Sequence, residues 1–115
     1  MAKNRIFASG RTLSLAIATI TSGSPVAKGQ ITGVALTDTD ADGNVTVDTE
    51  GVYDLSVKGV DGSGNSAVAV GDAIYYVDGD TPKLSKKATG VPFGFALETV
   101  ASAGTDTIRV KLGKF

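Results

Sequence analysis

Apolar and polar residues alternate along much of this chain with a period of two. Leu13, Leu15 and Ile17 fall on one side of a pleated backbone, with Thr12, Ser14, Ala16 and Ala18 on the other. Tyr53, Leu55 and Val57 oppose Asp54, Ser56 and Lys58 in the same way, and Ile108, Val110 and Leu112 oppose Thr107, Arg109 and Lys111. The pattern predicts half-buried strands, one face in a core and one in water. Further strands are predicted at Gly33–Thr37, Asn44–Asp48, Ala67–Val70, Ile74–Val77 and Phe93–Thr99, and a short helix at most over Ala96–Ala101.

Glycine punctuates these runs, and Asp42-Gly43, Asp61-Gly62 and Asp78-Gly79 are turn dipeptides between them. The expected fold is all-β, a small β-barrel or sandwich. Its core is expected to take Leu13, Leu15, Ile17, Val34, Leu36, Val47, Leu55, Val57, Val70, Ile74, Phe95, Leu97, Ile108 and Val110. A weak echo runs through the chain. Gly33-Val34-Ala35-Leu36 returns 61 positions later as Gly94-Phe95-Ala96-Leu97, and Ser22-Gly23-Ser24-Pro25-Val26 resembles Val70-Gly71-Asp72-Ala73-Ile74. Two pseudo-equivalent β units closing on one core would produce it.

Composition narrows the function. The 115 residues are 42% apolar, enough for a folded core without staples, and no apolar run approaches the length that spans a bilayer. No secretory signal pattern precedes the first strand, so synthesis and retention inside a cell are expected. Cys, His and Trp are all absent. Disulfides, thiolate metal sites, thiol nucleophiles and imidazole acid–base catalysis are therefore excluded, and no enzymatic activity or cofactor is expected.

The net charge of -1 argues against nucleic acid as a partner. Residues 1–37 nevertheless carry Lys3, Arg5, Arg11 and Lys28 with no acid, residues 38–80 carry ten carboxylates against Lys58, and residues 81–115 carry six bases against Glu98 and Asp106. Such blocks orient a subunit on a complementary surface unless the fold mixes them in space.

Three local motifs invite chemistry. Asp38-Thr39-Asp40-Ala41-Asp42-Gly43 resembles the opening of a calcium loop, but Thr49 stands where the bidentate Glu belongs and the flanks read as strands. A solvated hairpin loop with Asp42-Gly43 at its tip is the preferred reading. Gly59 to Asn65 lacks the Lys-Ser/Thr ending of a phosphate loop, and Lys58 continues a strand instead of standing at a hairpin tip as a lipoyl or biotin carrier would require. Lys83, Lys86 and Lys87 form a basic cluster without interleaved aromatics, which reads as a solvated loop or a contact with an acidic protein patch.

Residues 1–10 precede the alternation and read as an arm, with residues 11–115 forming one β domain. Ile6 and Phe7, flanked by Lys3, Arg5 and Arg11, are what an arm that orders on a partner would contain.

Gly10-Arg11-Thr12-Leu13-Ser14-Leu15, Gly33 to Asp38 with Asp40-Ala41-Asp42-Gly43-Asn44, Val70 to Tyr76, Phe93 to Leu97, and Ile108 to Leu112 together resemble the small capsid cement, or head decoration, proteins of tailed bacteriophages and prophages. The series carries the resemblance, since each motif alone is strand and turn chemistry. It implies a β-tulip-like structural protein of the virion, made in the bacterial host cytoplasm. Such a protein binds the outer surface of the assembled shell of major capsid protein, as a homo-oligomer with a trimer favoured. The arm residues Lys3, Arg5, Ile6, Phe7 and Arg11 are the expected capsid or subunit contacts. Neither nucleic acid nor membrane is an expected partner. The alternative is a carbohydrate-binding or adhesin-type β module, calcium-assisted through the Asp38–Asp42 loop and with Tyr53, Tyr75 and Tyr76 as a sugar platform.

Overall fold

Where the alternation is cleanest it becomes strand with little change of bounds. The computed structural model describes residues 12–113. Their strands are β1 (Thr12–Ala16), β2 (Pro25–Lys28), β3 (Ile31–Ala35), β4 (Asn44–Asp48), β5 (Gly51–Asp61), β6 (Gly64–Asn65), β7 (Ala73–Tyr76), β8 (Leu84–Lys86), β9 (Val91–Ala96) and β10 (Thr105–Leu112). No helix occurs among the described residues, and the fold is all-β. Ala96–Ala101, the candidate helix, instead ends β9 and then bridges back from Val100 to Val68. That bridge is all that remains of the strand predicted at Ala67–Val70.

Two sheets result. The first is antiparallel throughout, in the order β1-β4-β3-β2. The second runs β10-β9-β7-β8-β5-β6 and closes through β10 pairing with β5, which makes a five-stranded barrel with β6 as a hairpin appendage. Closure depends on β8, antiparallel to β7 and parallel to β5. Neither β8 nor β2 was expected from the alternation.

The sequence echo is a structural repeat. Gly23 N–H donates to Ala35 C=O at 2.7 Å, and Gly71 N–H donates to Ala96 C=O at the same distance. Ala35 N–H in turn donates to Ser24 and Ala96 N–H to Asp72, both at 2.9 Å. Ala35 opposes Val47 across β3 and β4, as Ala96 opposes Val110 across β9 and β10. Leu13 and Leu15 oppose Val47 and Val45, as Tyr53 and Leu55 oppose Val110 and Ile108. Strands β1, β2, β3 and β4 therefore correspond to β5, β7, β9 and β10.

Glycine is required at one repeated place. A Cβ on Gly33 would fall well inside contact distance of the Asp48 carbonyl oxygen, and one on Gly94 would do the same to that of Lys111. These are matching positions in the two units. The units also meet through matching elements: β2 lies against β7 and β3 against β9, with Thr32 Oγ1 donating to Pro92 C=O at 2.9 Å. Contact between like elements is the geometry of a two-fold interface, here within one chain.

There are two cores where one was expected. The barrel encloses Leu55, Val57, Ile74, Leu84, Phe93, Ile108, Val110 and Leu112, joined by Val34 from the first sheet. Val26, Ala35, Val45 and Val47 form a smaller cluster in the first sheet, packed by Leu15, Ile17 and Ile20. Several core expectations need correction. Leu13, Leu15 and Ile17 are half-buried, because β1 is an edge strand over the smaller cluster. Leu36 and Leu97 lie just past the ends of β3 and β9 and are 41% and 38% exposed, and Val70 is 65% exposed. Phe93 takes the buried place expected of Phe95. A register shift between Ile74 and Tyr75, paired with Gly94 and Pro92, leaves Phe93 as the extra residue of a β-bulge, and the bulge reverses the phase of the alternation.

Candidate interaction surface

The acidic loop after β3 is built from side-chain caps. Asp40 Oδ1 accepts the N–H of Asp42 and of Asn44, each at 2.9 Å, folding the loop around its own carboxylate. Asp38 Oδ1 accepts Ser22 N–H at 2.8 Å, and Thr39 Oγ1 accepts Ile20 N–H while donating to Ile17 C=O, both at 2.8 Å. The loop thus holds the connection between β1 and β2 in place. Among the described residues no three acidic side chains are grouped to hold a metal ion.

The basic cluster is neutralised by the acidic block. Lys83 pairs with Asp78 at 3.2 Å, Lys86 with Asp72 at 3.2 Å and Lys87 with Asp80 at 2.7 Å. In this region the fold mixes the charge blocks, so the lysines offer no surplus of positive charge to an acidic partner. The Ala69 backbone N–H and the neighbouring Lys86 hold the Asp72 carboxyl below the usual carboxylate range. Hydrogen bonds from Lys83 and Tyr76 lower Asp78 similarly. Burial, with Asp78 alongside, pushes the Tyr76 hydroxyl up to about 12.

Between the clamped connection and the barrel lies an open groove of about 560 Å³. Its first wall is Ile17 to Thr21 and the start of β2, its second Tyr76 and the β7–β8 turn from Asp78 to Lys83. Pro25, Val26 and Ala27 all line it although successive strand residues point to opposite faces, so the groove runs along the outer backbone edge of β2. Strand β3 pairs the other edge. The corresponding strand of the second unit, β7, is paired on both edges, by β9 and by β8.

The tyrosines make no platform. Tyr76 is buried, Tyr75 is half-buried, and Tyr53 packs against the barrel core with its hydroxyl on Asp48.

The sequence matches the family described as phage cement protein over residues 7–112, a stretch covering both the four-stranded sheet and the barrel. This chain belongs to the phage cement protein family. Membership carries a structural role at the phage capsid and a place in the virion. No curated protein and no solved structure matches the chain.

For a cement protein the informative surfaces are those left over once the fold is satisfied. The β2 groove is one, and sequence reasoning missed it because β2 itself shows no extended alternation. Its signal was the echo: Pro25-Val26 matches Ala73-Ile74, but no counterpart of β8 follows Lys28 before β3 begins. The expected contacts Lys3, Arg5, Ile6, Phe7 and Arg11 lie outside the described residues.

Proposed function

We propose that this chain is a capsid cement subunit that binds the outer surface of the assembled shell, bridges neighbouring major capsid subunits and stiffens the lattice. The family match across residues 7–112 carries the reading. Physical considerations support it. Packaged genome pushes outward on a shell, and a subunit seated on two or more capsid proteins adds contacts that must break together before the lattice opens. A closed barrel with a fused sheet suits this load, since holding a lattice together needs no moving part. The arm supplies attachment in this reading: Ile6 and Phe7 as apolar anchors, with Lys3, Arg5 and Arg11 as charged ones.

Co-sedimentation with expanded shells tests the reading. The full chain should pellet with shells and raise the temperature at which they open, and the chain lacking Ala2 to Gly10 should keep its own melting temperature while losing most of its occupancy. A full chain that stays in the supernatant would overturn the cement reading. A shortened chain that unfolds would return the arm to the subunit's own core.

A further inference from the structure

Lys83, Lys86 and Lys87 are paired with acids, whereas Lys58 makes no hydrogen bond or ion pair among the described residues. The ladder sets its position. Lys58 on β5 opposes Ser85 on β8, and their neighbours Val57 and Leu84 fill the barrel core, so both side chains leave the outer face. Ser85 is nevertheless only 1% exposed. Both residues line a small pocket of about 120 Å³, together with Val60, the Asp80-Thr81-Pro82 part of the β7–β8 turn, and Lys87. Just beyond Lys58 the register shifts, leaving Gly59 and Val60 without partners on β8, a bulge that interrupts the ladder beside the pocket.

The donors around this pocket exceed what the fold uses. Ser85 Oγ accepts the Lys87 N–H at 3.3 Å and gives its own hydrogen to no acceptor among the described residues. Lys87 commits its ammonium to Asp80 at 2.7 Å. Two lysines and one aspartate line the pocket, so once that pair is subtracted one full positive charge remains, that of Lys58. A buried donor without an acceptor is costly, and a water molecule supplies the acceptor but not the opposite charge. We infer that the pocket is a seat for one oxyanion, a carboxylate or a phosphate-type group, held by the Lys58 ammonium and the Ser85 hydroxyl. Charge-assisted bonds of this kind are the strong ones. The volume lies well below the roughly 300 Å³ at which sites for drug-sized ligands begin, so it suits a single anionic group and not a sugar ring. The site goes beyond the cement reading, and its chemistry is the same whether an acidic side chain of the shell or a free ion presents the group.

Amide NMR spectra of the full chain, titrated with sodium acetate and with sodium phosphate against sodium chloride at equal ionic strength, read the site directly. The Lys58, Ser85 and Lys87 signals should shift saturably with acetate or phosphate. Lys58→Gln should weaken the response roughly tenfold or more. Lys111→Gln, which removes the same charge from an exposed position outside the pocket, should leave it unchanged. Shifts that never saturate, or a Lys58→Gln chain that titrates as Lys111→Gln does, would overturn the inference. Occupancy on expanded shells separates the two sources. Several-fold lower occupancy for Lys58→Gln than for Lys111→Gln assigns the oxyanion to a carboxylate of the shell, and equal occupancy with the anion response intact assigns it to a free ion. A wild-type chain that does not bind shells removes the cement reading, while the titration still decides the site.

Discussion

Tyr53, on the first strand of the barrel, donates its hydroxyl hydrogen to the carboxylate of Asp48 at the end of the four-stranded sheet. Asp48 is 2% exposed, so the bond lies where the two units join. Replacing Tyr53 with Phe keeps the ring and removes one donor from a buried carboxylate. A loss of about 1–3 kcal/mol is expected, read by urea unfolding. Unchanged stability would mean that Asp48 is served fully by its other partners.

Gly33→Ala and Gly94→Ala should each destabilise by about 1–3 kcal/mol or more, because the new methyl meets a backbone oxygen that cannot retreat without breaking strand pairing. Gly62→Ala, with open space at its Cβ position, is the control and should be near neutral. Thermal melts of the three variants side by side test whether the repeated close approach is real.

Leu55 is 4% exposed in the barrel core, whereas Leu15 is half-buried at the edge of the smaller cluster. Leu55→Ala should cost about 2–5 kcal/mol, a large share of a small protein's stability. Leu15→Ala should cost clearly less. Equal losses would show that the edge strand is more deeply covered than the described residues indicate.

Alkaline stability should depend on Tyr76. Its folded-state pKa is raised from 10.0 to about 12, mainly by burial, so the folded state holds the proton more tightly than the unfolded state does. The associated stability is complete below pH 10 and is lost as pH rises toward 12. Tyr76→Phe should flatten this loss in melts recorded across that window.

Acid stability should depend on Asp72, whose carboxyl is held below 3.8 by the Ala69 N–H and Lys86. A depressed folded-state pKa stabilises above the unfolded value and stops doing so as pH falls through the folded one. The stability gap between the wild-type chain and Asp72→Asn should therefore be widest near neutral pH and shrink below 3.8. A gap independent of pH would assign the effect to packing.

Fold class and several strand positions were legible because alternation is a direct print of a half-buried sheet. Asn44–Asp48 was expected with the bounds that β4 has. The reading failed where position overrides pattern. Leu36 and Leu97 stand one residue past β3 and β9, where their N–H groups still bond to Thr46 and Arg109 but their side chains are exposed, and Val70 is exposed two residues past the Val68 bridge. Phe93 and Phe95 exchanged roles because one bulged residue flips every later side chain. Strand β8 is too short, at Leu84-Ser85-Lys86, to show a period at all. The lysine cluster looked like a patch because Asp72, Asp78 and Asp80 lie across a turn from it, and pairing over a turn leaves no periodic mark. The echo, by contrast, was legible as a repeat, since matching glycines and alanines hold matching backbone hydrogen bonds.

Closure of the barrel by β10 against β5 sets an order for folding. In the first sheet β2, β3 and β4 follow one another in sequence and pair over short connections, and β1 pairs β4 around them. That span is shorter than the one that joins β5 to β10, and so a smaller loss of chain entropy. The first sheet is complete once Asp48 has left the ribosome. Leu55 and Val57 then wait, uncovered, until Thr105–Leu112 arrives to pair with β5. Non-local pairing of this kind is slow, and an unfinished barrel presents a long apolar strand edge to its neighbours. The hazard of self-association is therefore concentrated in β5 during synthesis, and the arrival of the last barrel strand ends it.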